Sequence, residues 1–406
     1  MDEQEAITKA QALLNRPGDA NVSPLAVYRR AAKADSVQQR RPNVVLIMME
    51  SMSAKFMKHF GQSETLTPFL DSLYTRSISF RNFYSAGIHT NHGLYATLYS
   101  FPAMMKRNLM KGSVIPRYSG LPTVLKENGY YNLFFMTHEG QYDNMNAFFR
   151  TNGYDEVFSQ ENYPADKVVN SFGVQDDFLY DYAIPVLNQR AATGEPFFAT
   201  LLSISNHPPY VIPPFFHPKT SEPETQIVEY ADWALRKFFE EARKQPWFDN
   251  TIFVLEGDHG KLVGDAECEL PESYNHIPLM IYSSRIHPEE KNTFGGQVDI
   301  QPTILGLLNI DYLQNNFGVD LLKEERPCMF YTADNMIVGR NDTLLYLYNY
   351  ETQQEFTYHI DNGKLKAVPM DDRFLPLKEY SFSMLQSAEF LVKHGKTVNS
   401  VPFTQQ

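Results

Sequence analysis

Asn43-Val44-Val45-Leu46-Ile47-Met48-Met49-Glu50-Ser51 is the stretch whose reading decides the architecture. Six consecutive apolar residues, Val44–Met49, leave no polar face for solvent. Such a run reads as a strand buried on both sides, and here it ends abruptly in a carboxylate and a hydroxyl. Three further apolar runs follow, at Tyr131–Met136, Phe197–Ser203 and Thr251–Leu255. Segments with helical periodicity lie between them, at Leu66–Tyr74, Leu121–Asn128, Asp176–Asn188 and Glu229–Lys244. Buried strands alternating with helices predict an α/β fold, a mostly parallel sheet sandwiched by helices.

Ligands of open α/β sheets bind beyond the carboxyl ends of the strands, so the residues just after each run matter most. They are Glu50-Ser51, then Thr137-His138-Glu139-Gly140, then Ser205-Asn206-His207-Pro208-Pro209-Tyr210, then Glu256-Gly257-Asp258-His259-Gly260. Four strands thus deliver carboxylate or imidazole to one edge of the sheet. A fifth element, Ala86-Gly87-Ile88-His89-Thr90-Asn91-His92-Gly93, enters an apolar helix near Thr90. Helix N-termini favour anions through unpaired N–H groups and the dipole, and a hydroxyl placed there beside a cation gains a lowered pKa. Each residue also has a plain structural reading. Thr90 can be an ordinary N-cap, Glu50 a strand-end carboxylate, His207 a turn histidine before Pro-Pro, and Asp143 and Asn144 solvated loop residues.

Outward from this core, residues 43–325 read as the catalytic unit, ending in a helix over Thr303–Leu308 that Asp299 caps. Residues 1–42 read as a charged, helical arm broken at Pro17-Gly18 and Arg40-Arg41-Pro42. Residues 326–406 change character: Leu344–Tyr348 and Glu355–His359 flank Asn349-Tyr350-Glu351, and Asp361-Asn362-Gly363 signals a turn. That pattern predicts a small C-terminal α+β subdomain, an antiparallel sheet followed by a helix over Leu377–Lys393. A chain of 406 residues, 43% hydrophobic, can bury one large core with an appendage. A net charge of −12 argues against nucleic acid, which wants a basic face. The two cysteines, Cys268 and Cys328, lack metal-ligand spacing and read as free thiols, with one disulfide as the alternative. No run approaches the ~18 apolar residues of a membrane span, and Met1-Asp2-Glu3 opens no signal peptide. The chain is expected either to be soluble as it stands or to follow an upstream membrane region.

With these pieces in hand, the chain resembles the lipoteichoic acid synthase branch (phosphoglycerol transferases) of the alkaline phosphatase/sulfatase superfamily. The resemblance rests on Asn43–Ser51, Thr67-Pro68-Phe69-Leu70-Asp71, Asn82-Phe83-Tyr84-Ser85, the Thr90 loop, Leu121–Leu125, Ser205-Asn206-His207, Gly257–Gly260 and Gln297-Val298-Asp299-Ile300. It implies an alkaline phosphatase-like fold. It implies that Glu50, Thr90, Asp258 and His259 hold one divalent cation, Mn2+ first, with Mg2+ or Zn2+ as alternatives. It implies also that Thr90 is the nucleophile and that His207 contacts the phosphate. His207 and His138 are candidates to protonate a leaving oxygen, and His138, His92, Asn91, Asp143 and Asn144 are candidate substrate contacts.

The implied reaction moves a phosphoglycerol-type head group from a phospholipid through a covalent phospho-threonine. A phosphoethanolamine transferase or phosphodiesterase using the same residues is the alternative, and a sulfatase the next. Formylglycine sulfatases need Cys or Ser in a C/S-x-P-x-R motif, which Thr90-Asn91-His92-Gly93 lacks. Where relatives place Arg or Lys two residues after the nucleophile, His92 stands here, and the arginine expected after His138 gives way to Asp143-Asn144-Met145-Asn146. His276 is a loose candidate for a second metal set. The expected partners are a phospholipid or other phosphate ester and a membrane surface, in an extracytoplasmic setting with the full-length protein membrane-anchored. The oligomeric state is not legible. A binding module that kept the fold but lost catalysis is the reading from another class.

Overall fold

The computed structural model describes residues 2–16, 19–21, 27–29 and 41–398. Asn43–Met49 is a strand buried along its whole length. Its side chains alternate between two cores: Val44, Leu46 and Met48 enter one, Val45, Ile47 and Met49 the other. The uninterrupted apolar run is therefore what a doubly covered strand requires.

The strand sits inside an eight-stranded sheet, ordered Glu289–Gly296, Ile78–Tyr84, Leu279–Tyr282, Thr251–Gly257, Asn43–Met49, Phe197–Leu202, Tyr131–Phe135, Glu156–Phe158. Leu279–Tyr282 runs antiparallel to both its neighbours, and the remaining pairs are parallel. Helices Pro68–Tyr74, Asp176–Ala191 and Pro223–Ala242 cover one face. In Asp176–Ala191, Leu179, Tyr180, Ala183 and Leu187 recur at helical spacing on the buried side. Burying a Leu there contributes about 1.5–3 kcal/mol. Helices Thr90–Tyr99, Leu121–Glu127 and Ile300–Leu307 cover the opposite face.

Three sequence expectations need correction. The helix expected from Thr303 begins at Ile300, because Pro302 falls in the first turn, where its missing N–H costs nothing. Asp299 does not cap that helix: it pairs with the buried Arg326 at 2.5 Å and accepts the N–H groups of Gly296 and Val319. Among the described residues of 1–42, Glu3–Leu14 alone is helical; Ala20–Asn21 and Val27–Arg29 form strands with Tyr312–Gln314. Cross-strand pairing decides the state of those short pieces, and it is invisible to local pattern. The breaks at Pro17-Gly18 and Arg40 lie outside the described residues.

The tail forms a five-stranded antiparallel sheet, Met329–Thr332, Met336–Arg340, Leu344–Asn349, Gln354–Asp361 and Lys364–Ala367, followed by helix Leu375–Lys393. Asn362 and Gly363, at φ +49° and +74°, make the tight turn that their sequence announced. Phe330, Tyr331, Val338 and Tyr346 of this sheet belong to the same core as Val44 and Leu46. Tyr331 stacks on Tyr84 of the central sheet, ring centroids 5.3 Å apart. Helix Glu3–Leu14 buries Ala6, Ile7, Ala10 and Leu14 and packs on Leu375–Lys393, with Glu3–Lys393 at 2.7 Å. Cys268 and Cys328 are free. Among the described residues no helix is long and apolar enough to cross a membrane.

Candidate metal and nucleophile site

Two adjacent parallel strands build the floor of the site. Gly257 lies opposite Met49 in register, so the next residues on each strand, Asp258 and Glu50, emerge side by side at the carboxyl edge. Ser51 adopts φ +51°, a conformation that costs a non-glycine residue of order 1 kcal/mol and persists only where surroundings enforce it. The turn lets the Ser51 N–H donate to Asp258 Oδ1 at 2.8 Å and its hydroxyl donate to Glu50 Oε1 at 2.6 Å. The Glu50 N–H in turn donates to Ser203 Oγ at 3.0 Å.

His259 completes the trio. Its Nδ1 lies 2.7 Å from the Gly260 carbonyl, an acceptor only, which assigns the proton to Nδ1. Nε2 then turns its lone pair toward the carboxylates, 3.8 Å from Glu50 Oε1 and 3.6 Å from Asp258 Oδ2. Glu50, Asp258 and His259 each offer one ligand atom, all within 4.8 Å of one another. Asp258 Oδ2 is buried without a hydrogen-bond partner. Burial, then repulsion from Asp258, holds the Glu50 carboxyl well above the usual carboxylate range. A buried pair of facing carboxylates with an orphaned oxygen and an imidazole lone pair fits a divalent cation, whose charge would relieve both penalties.

Thr90 is the first residue of helix Thr90–Tyr99, and its hydroxyl donates to Glu50 Oε2 at 3.3 Å. His92 and Gly93 donate their N–H groups to the His89 carbonyl, while those of Thr90 and Asn91 open the helix and are free to face an anion. Gly93 brings this helix against the Asp258 strand: a Cβ there would collide with the Asp258 carbonyl oxygen. The helix start and the trio are thus held together by backbone contact.

The structure brings Glu50, Thr90, Asp258 and His259 to one point, and distributes the remaining candidates around it. Asn91 donates to Asp143 Oδ2 at 3.4 Å, and Asp143 pairs with Lys111 at 2.6 Å. Asp143 and Asn144 adopt φ +50° and +62°, and Asn144 serves as the residue before helix Met145–Thr151. His138, Tyr142, Phe172 and His207 form one ring cluster, with centroid separations of 4.7, 6.2 and 4.0 Å along that order. Burial pushes the His138 imidazole toward its neutral form. Nδ1 of His138 and of His207 each engages a neighbouring carbonyl, as in His259, which leaves Nε2 for other work. Burial, then Asp143 and Glu50, raises the Tyr142 phenol.

His92 does not take the substrate-facing position expected for it. It is fully buried beneath Gly87, neither ring nitrogen has a partner, and burial, then His89 and His259, pushes its pKa down to about 3. His276 is no second ligand set. It stacks on Tyr84 at 5.1 Å and its Nε2 lies 2.8 Å from the Arg81 carbonyl. Glu256 is buried under the site, takes the Thr97 hydroxyl at 2.5 Å, and burial pushes it well above its ordinary range.

Sequence reasoning missed Lys261. Its ammonium donates to Asn206 Oδ1 at 2.6 Å and lies 3.1 Å from the Tyr210 hydroxyl, and burial pushes its pKa down to about 8. Asn206 Nδ2 donates to the Glu50 and Ser51 carbonyls at 3.1 Å, which ties the lysine to the turn that carries Glu50. The available signal was adjacency: Lys261 directly follows Asp258-His259-Gly260.

The Sulfatase family model matches residues 42–310. Lipoteichoic acid synthase 2 of Bacillus subtilis (strain 168) is 24% identical over 315 residues, 70% of this chain and 47% of that protein. The chain spans about half the length of the curated relatives it matches. An alkaline phosphatase superfamily protein from Vibrio parahaemolyticus superposes with a TM-score of 0.88 at 26% identity over 98% of both chains. The lipoteichoic acid synthase LtaP from Listeria monocytogenes superposes with a TM-score of 0.74 at 22% identity, over 87% of this chain and 92% of that one.

Proposed function

The chain belongs to the Sulfatase family, and from that membership and its lipoteichoic acid synthase relatives we propose that it transfers a phosphoglycerol-type head group from a phospholipid through a phospho-threonine. One observation carries the reading: a threonine hydroxyl at a helix N-terminus, 3.3 Å from a buried carboxylate that shares a metal-fitting trio with Asp258 and His259.

Glu50, Asp258 and His259 would hold a divalent cation, with Mn2+ preferred over Mg2+ or Zn2+, which when bound would supply Lewis acidity to the Thr90 hydroxyl and the phosphoryl oxygen. Thr90 Oγ bonds to phosphorus, and the bond from phosphorus to the diacylglycerol oxygen breaks. The hydrogen bond to Glu50 Oε2 orients Oγ for that attack, and the free N–H groups of Thr90 and Asn91 face the phosphoryl oxygens. Nε2 of His207 or His138 takes up the proton that Thr90 Oγ gives up and delivers it to the departing diacylglycerol oxygen. An acceptor alcohol, or water, then attacks the Thr90 ester and regenerates the hydroxyl, giving ping-pong kinetics. A lipid donor puts this chemistry at a membrane surface, in the extracytoplasmic setting proposed for the chain.

The test is diacylglycerol release from labelled phosphatidylglycerol and phosphatidylethanolamine with Mn2+, Mg2+ or Zn2+, alongside Thr90→Ala. Release from phosphatidylglycerol alone, lost in the variant, supports the reading. Release from phosphatidylethanolamine alone moves the assignment to a phosphoethanolamine transferase, and release from neither moves it to soluble phosphate or sulfate esters.

A further inference from the structure

Lys261 stands out by its partners. Its ammonium is half-buried and held by a side-chain carbonyl, Asn206 Oδ1, and a phenol, Tyr210, with the rings of Phe56 and Tyr210 5.3 and 4.8 Å away. All of these direct partners are neutral; among the described residues no carboxylate lies within ion-pair distance, and Glu50 and Glu224 act on the ammonium from further off. A buried ammonium is costly unless a counter-charge or ligand completes its surroundings. Two donors are committed, and the third N–H is free for an anion.

Charge around the trio says which anion is missing. Glu50 and Asp258 bring two negative charges that a divalent cation balances, and a phosphodiester adds one more. Lys111, the other lysine bordering the site, is spent on Asp143. His92, two residues after Thr90, is buried beneath Gly87. Asn206 fixes the lysine to the backbone of Glu50 and Ser51, so the ammonium is rigidly indexed to the carboxylates.

We propose that Lys261 is the substrate-binding cation of this site, its free N–H contacting a non-bridging phosphate oxygen. The inference rests on the reading of the site as one for phosphate esters, and it names the residue that recognises that group.

The experiment titrates inorganic phosphate into the metal-loaded chain by calorimetry, comparing wild type with Lys261→Met and measuring bound metal in each. A charge-assisted hydrogen bond is worth about 10- to 100-fold in affinity, so Lys261→Met should bind phosphate that much more weakly with metal content unchanged. Wild-type affinity should also fall with added salt more steeply than that of the variant, which a merely structural lysine would not produce. Where the methionine does not fold, Lys261→Gln keeps a donor for Asn206 and serves instead. Unchanged phosphate affinity, or a loss that tracks loss of the metal, overturns the proposal. Phosphate binding is read without turnover. A wild type that binds phosphate through Lys261 yet releases no diacylglycerol therefore retires the lipid donor and leaves Lys261 in place.

Discussion

At the scale of single residues, the site depends on a few atoms whose partners are fixed. Thr90→Ala removes the proposed nucleophile, and turnover should fall at least ~1,000-fold, while metal content holds and stability drops by no more than about 1 kcal/mol. Turnover within tenfold of wild type would remove Thr90 from the mechanism. Glu50 makes a second prediction. Its carboxyl is held high by burial and by Asp258, and it must lose its proton to bind metal. Metal affinity should therefore rise with pH, and Mn2+ added to lightly buffered chain should release protons, a signal absent in Glu50→Ala. The convergence of Glu50, Asp258, His259 and Thr90 was legible because each follows a strand or opens a helix. Lys261 was not, since its meaning comes from Asn206 and Tyr210, which lie 55 and 51 residues away in sequence. His92 misled for the converse reason: its position in the motif was right, but the side chain turns under Gly87 into the core.

At the scale of elements, the start of helix Thr90–Tyr99 against the Asp258 strand is the critical contact. Gly93→Ala should push that helix off the Asp258 carbonyl, displacing Thr90 by a fraction of an ångström. Activity should fall roughly 100-fold with metal still bound, because all three trio residues lie outside the helix. Wild-type kinetics in this variant would mean that the helix and strand move independently. The central strands could be read from the sequence, since a doubly buried strand carries no polar face to confuse the period. The strands at Ala20–Asn21 and Val27–Arg29 could not, because a distant partner, Tyr312–Gln314, sets their state.

Over the whole molecule, the tail and the central sheet form one body. The buried Arg340 of the tail sheet ion-pairs with Glu272, which also accepts the Tyr84 hydroxyl of the central sheet, and His89, next to Thr90, lies 2.7 Å from Asp334 of the tail. Burial alone would raise Glu272, yet Arg340, His276 and Tyr84 outweigh it and hold the carboxyl down to about 2. A depressed folded pKa contributes stability above the ordinary value of 4.5 and loses it as pH falls from there toward 2. Glu272→Gln should therefore flatten the acid limb of a melting-temperature profile over that window. The effect should be about 1 kcal/mol, since the side chain keeps some solvent screening. An unchanged limb would mean that the pair does not hold the tail. The Asp258 and Glu50 strands run side by side at the centre of this single body. The ligand geometry is therefore settled when the chain folds, and a bound ion has only the native state to stabilise. By mass action each tenfold excess of ion over its dissociation constant adds about 1.4 kcal/mol to unfolding. The order in which Mn2+, Mg2+ and Zn2+ raise the melting temperature would thus rank their affinities with no substrate in the cuvette.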